Sequence, residues 1–302
     1  MHDEAAGRMA VQDGQMIRLA SGISLHYASA GQPGAPLVVF LHGFPQAWFA
    51  WETLLPLAAS HHYCVAPDMR GFNRSDRPAA VADYRIDRLV RDMVELVHGL
   101  GYENALFVAH DWGGAVAFST AIAHPTLMRR LMILNAPHPV PFAKGLARDP
   151  AQQRASAYMN DLRAPDCEAR LLVNDCEALL SKFRSSSGDW LTPELAARYR
   201  EAWRQPGALT GALNYYRASP LYPPIGDDPG AAGLTLDPSA FIVRVPTTVV
   251  WGMDDTALLP TLLDGLDEWI PDLTIVRIPG ASHWLIDERP DAIATQLLRF
   301  LE

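Results

Sequence analysis

Long hydrophobic runs are missing from this 302-residue sequence: no apolar stretch reaches the roughly eighteen residues that suggest a membrane-spanning helix. The opening residues, MHDEAAGRMAVQDGQ, carry acids at Asp3 and Glu4 and lack the apolar centre of a secretory signal. Cysteine is scarce. Cys64, Cys167 and Cys176 are odd in number and show no metal-ligand spacing, which argues against a disulfide framework or a thiolate metal site and leaves buried thiols as the expectation. Positive charge is also in short supply: 25 basic residues face 34 acidic ones, a net charge of -9 that repels nucleic acid phosphates and anionic lipid. Internal repeats and low-complexity tracts are absent. The expected protein is soluble and cytoplasmic, with neither nucleic acid nor membrane as partner. Its 49% apolar content can fill a large core in one domain or in a domain carrying an insertion.

What is present is an alternation of strand and helix patterns. Met16 to Ala20, Ile23 to Ser29 and the apolar run Leu37 to Leu41 read as strands, Trp48 to Ala59 as a helix, and Tyr63 to Ala66 as a strand. Leu89, Met93, Leu96, Val97 and Leu100 fall at helical spacing. Ala105 to Ala109 is a further buried strand, followed by a small-residue helix over Gly113 to His124 and a strand over Leu131 to Leu134. Such repetition predicts an α/β fold with a mostly parallel sheet. From Asn135-Ala136-Pro137-His138-Pro139 to about Val243 the strand signal stops, so residues 137–243 read as a helical lid inserted into a core made of residues 1–136 and 244–302. The sheet pattern resumes at Thr247 to Trp251 and Leu273 to Ile278, and Ala292 to Leu301 closes the chain as a helix.

Chemistry-bearing motifs fall at the strand ends. Ala105 to Ala109 runs into Ala109-His110-Asp111-Trp112-Gly113-Gly114, a strand-to-helix elbow whose small flanks suit a strained central residue. Where this elbow usually carries Ser, the chain has Asp111. An alternative use for Asp111 is simply to cap the helix that follows. After the third strand comes Leu41-His42-Gly43-Phe44-Pro45-Gln46, where α/β-hydrolases place one of two oxyanion-binding N–H groups; Phe44 and Trp112 would supply the pair. Two late loops, Trp251-Gly252-Met253-Asp254-Asp255 and Gly280-Ala281-Ser282-His283-Trp284, complete the order nucleophile, acid, histidine as Asp111, Asp255 and His283, with Asp254 the rival acid. His110 and His138 read as residues that orient neighbours, and Arg70 and Arg74 as loop anchors held by ion pairs.

Across nearly its whole length the chain resembles the epoxide hydrolase branch of the α/β-hydrolases. The resemblance rests on His42-Gly43-Phe44-Pro45, Asp68-Met69-Arg70-Gly71-Phe72-Asn73-Arg74-Ser75, His110-Asp111-Trp112-Gly113-Gly114 and Gly280-Ala281-Ser282-His283-Trp284 together. It implies an eight-stranded, mostly parallel sheet flanked by helices. It also implies attack by Asp111 on an epoxide, an alkyl ester, and hydrolysis of that ester by water activated through His283 and Asp255. The segments Ser156-Ala157-Tyr158-Met159-Asn160 and Leu213-Asn214-Tyr215-Tyr216-Arg217 resemble those that carry two ring-opening tyrosines, and register selects Tyr158 and Tyr216. Tyr215 is the adjacent choice, since neighbouring helical positions face about 100° apart. Phe44, Trp48, Trp112 and Phe142 are expected to line an apolar pocket, with Trp48, Phe142 and Tyr215 touching substrate.

A haloalkane or haloacetate dehalogenase with the same three residues is the alternative. Trp112 and Ala115 stand where fluoroacetate dehalogenases carry arginines, which weakens the haloacetate version, whereas an indole N–H from Trp112 toward a halide keeps the haloalkane one open. A catalytically silent relative that only binds a ligand is a third reading. The expected partner is a small-molecule epoxide, with a homodimer left open and no cofactor or metal required.

Overall fold

Strand positions follow from burial. The runs Leu37–Leu41 (β3), Tyr63–Pro67 (β4) and Ala105–His110 (β5) are buried at every residue, as central parallel strands with both faces covered require. Around them lie Gln12–Arg18 (β1), Ser24–Ala30 (β2), Met128–Leu134 (β6), Thr247–Gly252 (β7) and Leu273–Ile278 (β8). A computed structural model describes residues 10–184 and 190–302. Its eight-stranded sheet has the order β1-β2-β4-β3-β5-β6-β7-β8. The β1–β2 and β2–β4 pairs are antiparallel and the remaining five pairs are parallel. The expected α/β-hydrolase architecture is therefore borne out.

Helices cover the sheet: α1 (Leu55–Ala58), α2 (Ile86–Gly99), α3 (Trp112–Ala123), and, after β8, α10 (Leu285–Glu288) and α11 (Pro290–Leu301). Between β6 and β7 the chain forms α4 (Pro139–Arg148), α5 (Pro150–Ala155), α6 (Tyr158–Arg163), α7 (Cys167–Arg184), α8 (Pro193–Arg204) and α9 (Ala208–Ala218). Among the described residues this insertion adds no strand to the sheet. It seats on the core where Gly211 of α9 meets Gly71: a Cβ on Gly211 would lie 2.7 Å from the Gly71 Cα, so only paired glycines allow the approach.

Two local expectations need correction. Trp48 to Ala59 is not one helix but a 3₁₀ turn over Trp48–Trp51 followed by α1, because Pro56 cannot sit inside a helix and instead occupies the first turn of a new one. The first strand runs over Gln12–Arg18 rather than residues 16–20; its exposed face carries no apolar alternation, and a turn with Gly22 at φ +90° ends it. All three cysteines are buried free thiols, as expected.

Candidate active site

The parallel strands deliver their C-terminal ends to one edge of the sheet, and the order changes direction around β3, where a crevice forms in such folds. Asp111 stands at that edge between β5 and α3 with φ 49° and ψ −120°, a conformation non-glycine residues rarely adopt. Glycines on both sides make room for it. A Cβ on Gly43 would fall 2.3 Å from the Asp111 Cβ, and one on Gly113 would fall 2.3 Å from the Leu41 carbonyl oxygen. The Asp111 side chain makes no capping bond to α3. It points away from the helix, which removes helix capping as its purpose.

The Phe44 N–H donates to Asp111 Oδ1 at 2.7 Å. Trp112 opens α3, so its own N–H lacks a helical acceptor. The loop carrying Phe44 is fixed by His42, whose Nε2 accepts from the Met69 N–H at 3.1 Å and whose Nδ1 meets the Gly43 carbonyl at 3.0 Å. Burial holds His42 below its ordinary range, so it stays a neutral brace. The Phe44-Pro45 peptide is cis.

His283 lies between two carboxylates. Its Nδ1 is 2.8 Å from Asp255 Oδ2, and its Nε2 is 3.6 Å from Asp111 Oδ2. Asp255, not Asp254, makes the histidine contact; Asp255 is buried while Asp254 is exposed. Burial opposes charge on His283, but the Asp255 charge and the bonds to both carboxylates outweigh it and carry the imidazole up to about 10. Asp111 and Asp255 also resist burial and are held below the usual carboxylate range, chiefly by His283. The resting arrangement is thus an imidazolium between two carboxylates.

One participant was not singled out from sequence. Asn135, at φ 36° just past β6, donates from Nδ2 to Asp255 Oδ2 at 2.6 Å and accepts the Gly252 N–H on Oδ1 at 2.7 Å. A polar residue directly after a buried apolar strand, at the same edge as Asp111, is the signal that could have found it. The Ala257 and Leu258 N–H groups donate to Asp255 Oδ1 at 2.8 and 2.9 Å. His110 Nε2 meets the His283 carbonyl at 2.9 Å, and His138 Nε2 meets the Phe241 carbonyl at 2.9 Å, so both orient neighbours. Arg70 pairs with Asp92 at 2.5 Å and Arg74 with Asp13 at 3.1 Å, as loop anchors do.

Two cavities, each about 270 Å³, meet at Asp111, Tyr158 and Tyr216. The first is walled by apolar groups such as Leu89, Phe142, Leu221 and Phe241, together with Trp112 and Tyr215; the second adds Phe44, Thr256, His283 and Trp284. Tyr158 and Tyr216 meet edge to face with ring centroids 6.3 Å apart. Burial, with the Asp111 charge nearby, pushes both phenols well up, so each keeps its proton at neutral pH. Tyr215 contributes its ring to the first cavity, but its hydroxyl is spent on the Arg70 carbonyl at 2.8 Å. Trp48 does not reach either cavity. It sits in the 3₁₀ turn with its N–H on Asp68 Oδ1 at 3.0 Å and its indole near Phe49 and Arg198, which corrects its expected contact with substrate. Among the described residues no group of three or more potential ligands could hold a metal ion.

The alpha/beta hydrolase fold family model matches residues 36–290. A Bacillus subtilis AB hydrolase superfamily protein is 36% identical, the match covering 93% of this chain and 96% of the relative. Mouse epoxide hydrolase 4 is 32% identical over 93% of this chain and 77% of its own length. Among solved structures, a metagenomic epoxide hydrolase from a hot environment is 37% identical with a TM-score of 0.86, covering 95% of this chain and 98% of that one. An inhibitor complex of Bacillus megaterium epoxide hydrolase is 29% identical with a TM-score of 0.85, covering 95% and 99%. The chain belongs to the α/β-hydrolase family, in its epoxide hydrolase branch.

Proposed function

We propose that the protein hydrolyses epoxides to vicinal diols through a covalent ester on Asp111. The observation that carries this reading is the pair of phenols, half-buried Tyr158 and buried Tyr216, beside a strained carboxylate where two cavities meet. A carboxylate attacking a saturated carbon displaces an alkoxide, and an alkoxide needs a proton, which a phenol can donate and a halide would not require. The helical insertion, residues 137–243, acts as the lid that brings these phenols over the core. The apolar wall of the first cavity suits aryl or alkyl substituents.

Charge and protons balance across the cycle. Asp111 attacks one epoxide carbon and the carbon–oxygen bond breaks. The released oxygen takes a proton through the tyrosines, and the imidazolium of His283 makes good that proton. The products of this half are a neutral ester and a neutral His283. Esterification also removes the Asp111 charge that helped hold the proton on His283, so the imidazole becomes a base when a base is needed. It takes a proton from water, hydroxide attacks the Asp111 carbonyl, and Phe44 and Trp112 N–H groups hold the developing oxyanion. The ester bond then breaks, releasing the diol and restoring the carboxylate and imidazolium.

Replacing Tyr158 or Tyr216 by Phe tests the reading. Each change is expected to slow ring opening of styrene oxide by about 2–4 kcal/mol, by analogy with oxyanion donors. Tyr215→Phe should cost little activity, because its hydroxyl serves the Arg70 loop. Single-turnover consumption of styrene oxide measures all three; indifference to both Tyr158 and Tyr216 would sink the epoxide assignment.

A further inference from the structure

Behind the oxyanion loop lies a polar junction that ring opening and water activation leave unused. Gln46, two residues after Phe44, is 1% exposed, and its Nε2 donates to Asp287 Oδ2 at 3.2 Å and to the Tyr199 hydroxyl at 3.3 Å. Its Oε1 is buried without a partner, so the carboxylate and the phenol are what hold this amide. The same loop is gripped a second time by α8, where Trp203 Nε1 donates to the Pro45 carbonyl at 2.6 Å. The Gln46 N–H closes the turn onto the Gly43 carbonyl at 2.9 Å. Three elements converge here: the oxyanion loop, α8 of the insertion through Tyr199 and Trp203, and α10, four residues beyond His283, through Asp287.

We propose that Asp287, acting through Gln46, is a positioning residue that holds the Phe44 N–H for hydrolysis of the Asp111 ester. The inference rests on the covalent reading above. An oxyanion donor is needed when negative charge builds on the ester carbonyl and not when Asp111 attacks, so loosening this loop should slow the second half-reaction selectively. Gln46 Nε2 donates to an Asp287 oxygen, and the carboxylate form of Asp287 accepts that bond more strongly than the neutral acid. Burial pushes Asp287 up to about 7, with the Gln46 bond opposing and the Glu288 charge adding to the rise. The other groups at the junction are engaged elsewhere: Glu288 accepts from the Ser282 N–H and hydroxyl, Arg198 pairs with Glu52, and His283 turns its Nδ1 to Asp255. Ester hydrolysis should therefore gain speed as Asp287 ionises through neutral pH.

The experiment follows both half-reactions of the 302-residue protein with styrene oxide by rapid quench and intact mass. In Asp287→Leu, hydrolysis is expected to fall about tenfold while ester formation stays within about twofold. Asp287→Asn, which keeps a neutral acceptor oxygen but cannot ionise, should hold hydrolysis near the wild-type value at low pH and lose the increment near pH 7. Gln46→Met, should Asp287→Leu fold poorly, is expected to show the same selective loss. Equal losses in both halves, or hydrolysis unchanged in Asp287→Leu and Gln46→Met, overturn the role. If His283→Gln forms no ester with the same epoxide, the covalent reading fails and takes this one with it; ester in that variant with no effect of Asp287 removes this inference alone.

Discussion

Asp111→Ala is expected to abolish epoxide turnover, by about a thousandfold or more, while leaving the fold intact. The change removes the carboxylate that the elbow presents to both cavities. It also removes the anion that shares the imidazolium and accepts from the Phe44 N–H. The fold should tolerate it because alanine adds no bulk between Gly43 and Gly113, and the charge lost is partly exposed at the cavity junction. The residual cost is the unusual backbone, which alanine must still hold at positive φ. Circular dichroism and urea unfolding check the fold, and diol formation checks the chemistry. More than a few percent of wild-type activity in a normally folded variant would remove Asp111 from the mechanism.

The sequence carried this far because parallel strands buried on both faces must be apolar throughout, so β3, β4 and β5 announced themselves and fixed where their ends would lie. Asp111 and Asp255 were legible as residues that follow buried strands, and His283 as a residue in the Gly-rich loop beyond the last strand. Asn135 was legible only as the end of a pattern, since its side-chain bonds run to residues more than a hundred positions away. Trp48 misled for a related reason: one aromatic near the oxyanion loop looks like another until Pro56 and the Asp68 bond turn its segment into the core. Neither the engagement of the Tyr215 hydroxyl nor the Gln46–Asp287 junction could be read from spacing, because both depend on how the insertion seats on the core. The two cavities have the same origin.

His283→Gln is expected to let the ester form and then persist. Glutamine keeps a polar side chain of similar reach but has no basic nitrogen, so hydrolysis should slow by about 10²–10⁴ while Asp111 still attacks with solvent returning the proton through Tyr158 and Tyr216. Intact mass after mixing with an epoxide should rise by the whole mass of that epoxide, since opening a ring expels nothing. A haloalkane would add its mass less hydrogen halide, so the same measurement separates the two branches of Asp-nucleophile chemistry. Peptide mapping should place the adduct on Asp111. An unmodified variant, when the wild type consumes the same epoxide, would exclude an accumulating ester and point to direct water attack with Asp111 as base.

β8 hydrogen-bonds to β7 alone and is the outer strand on its side of the sheet, with no fully buried residue along it. His283 follows that strand by five positions, whereas Asp111 grows from β5 in the interior of the sheet. The two halves of the ion pair therefore belong to regions of unequal local stability. Opening events that free an outer strand need far less energy than those that reach a central one. The proton-handling partner is thus tethered to an edge of the sheet, and catalysis is expected to lapse under mild stress through loss of register between edge and centre before the core itself gives way.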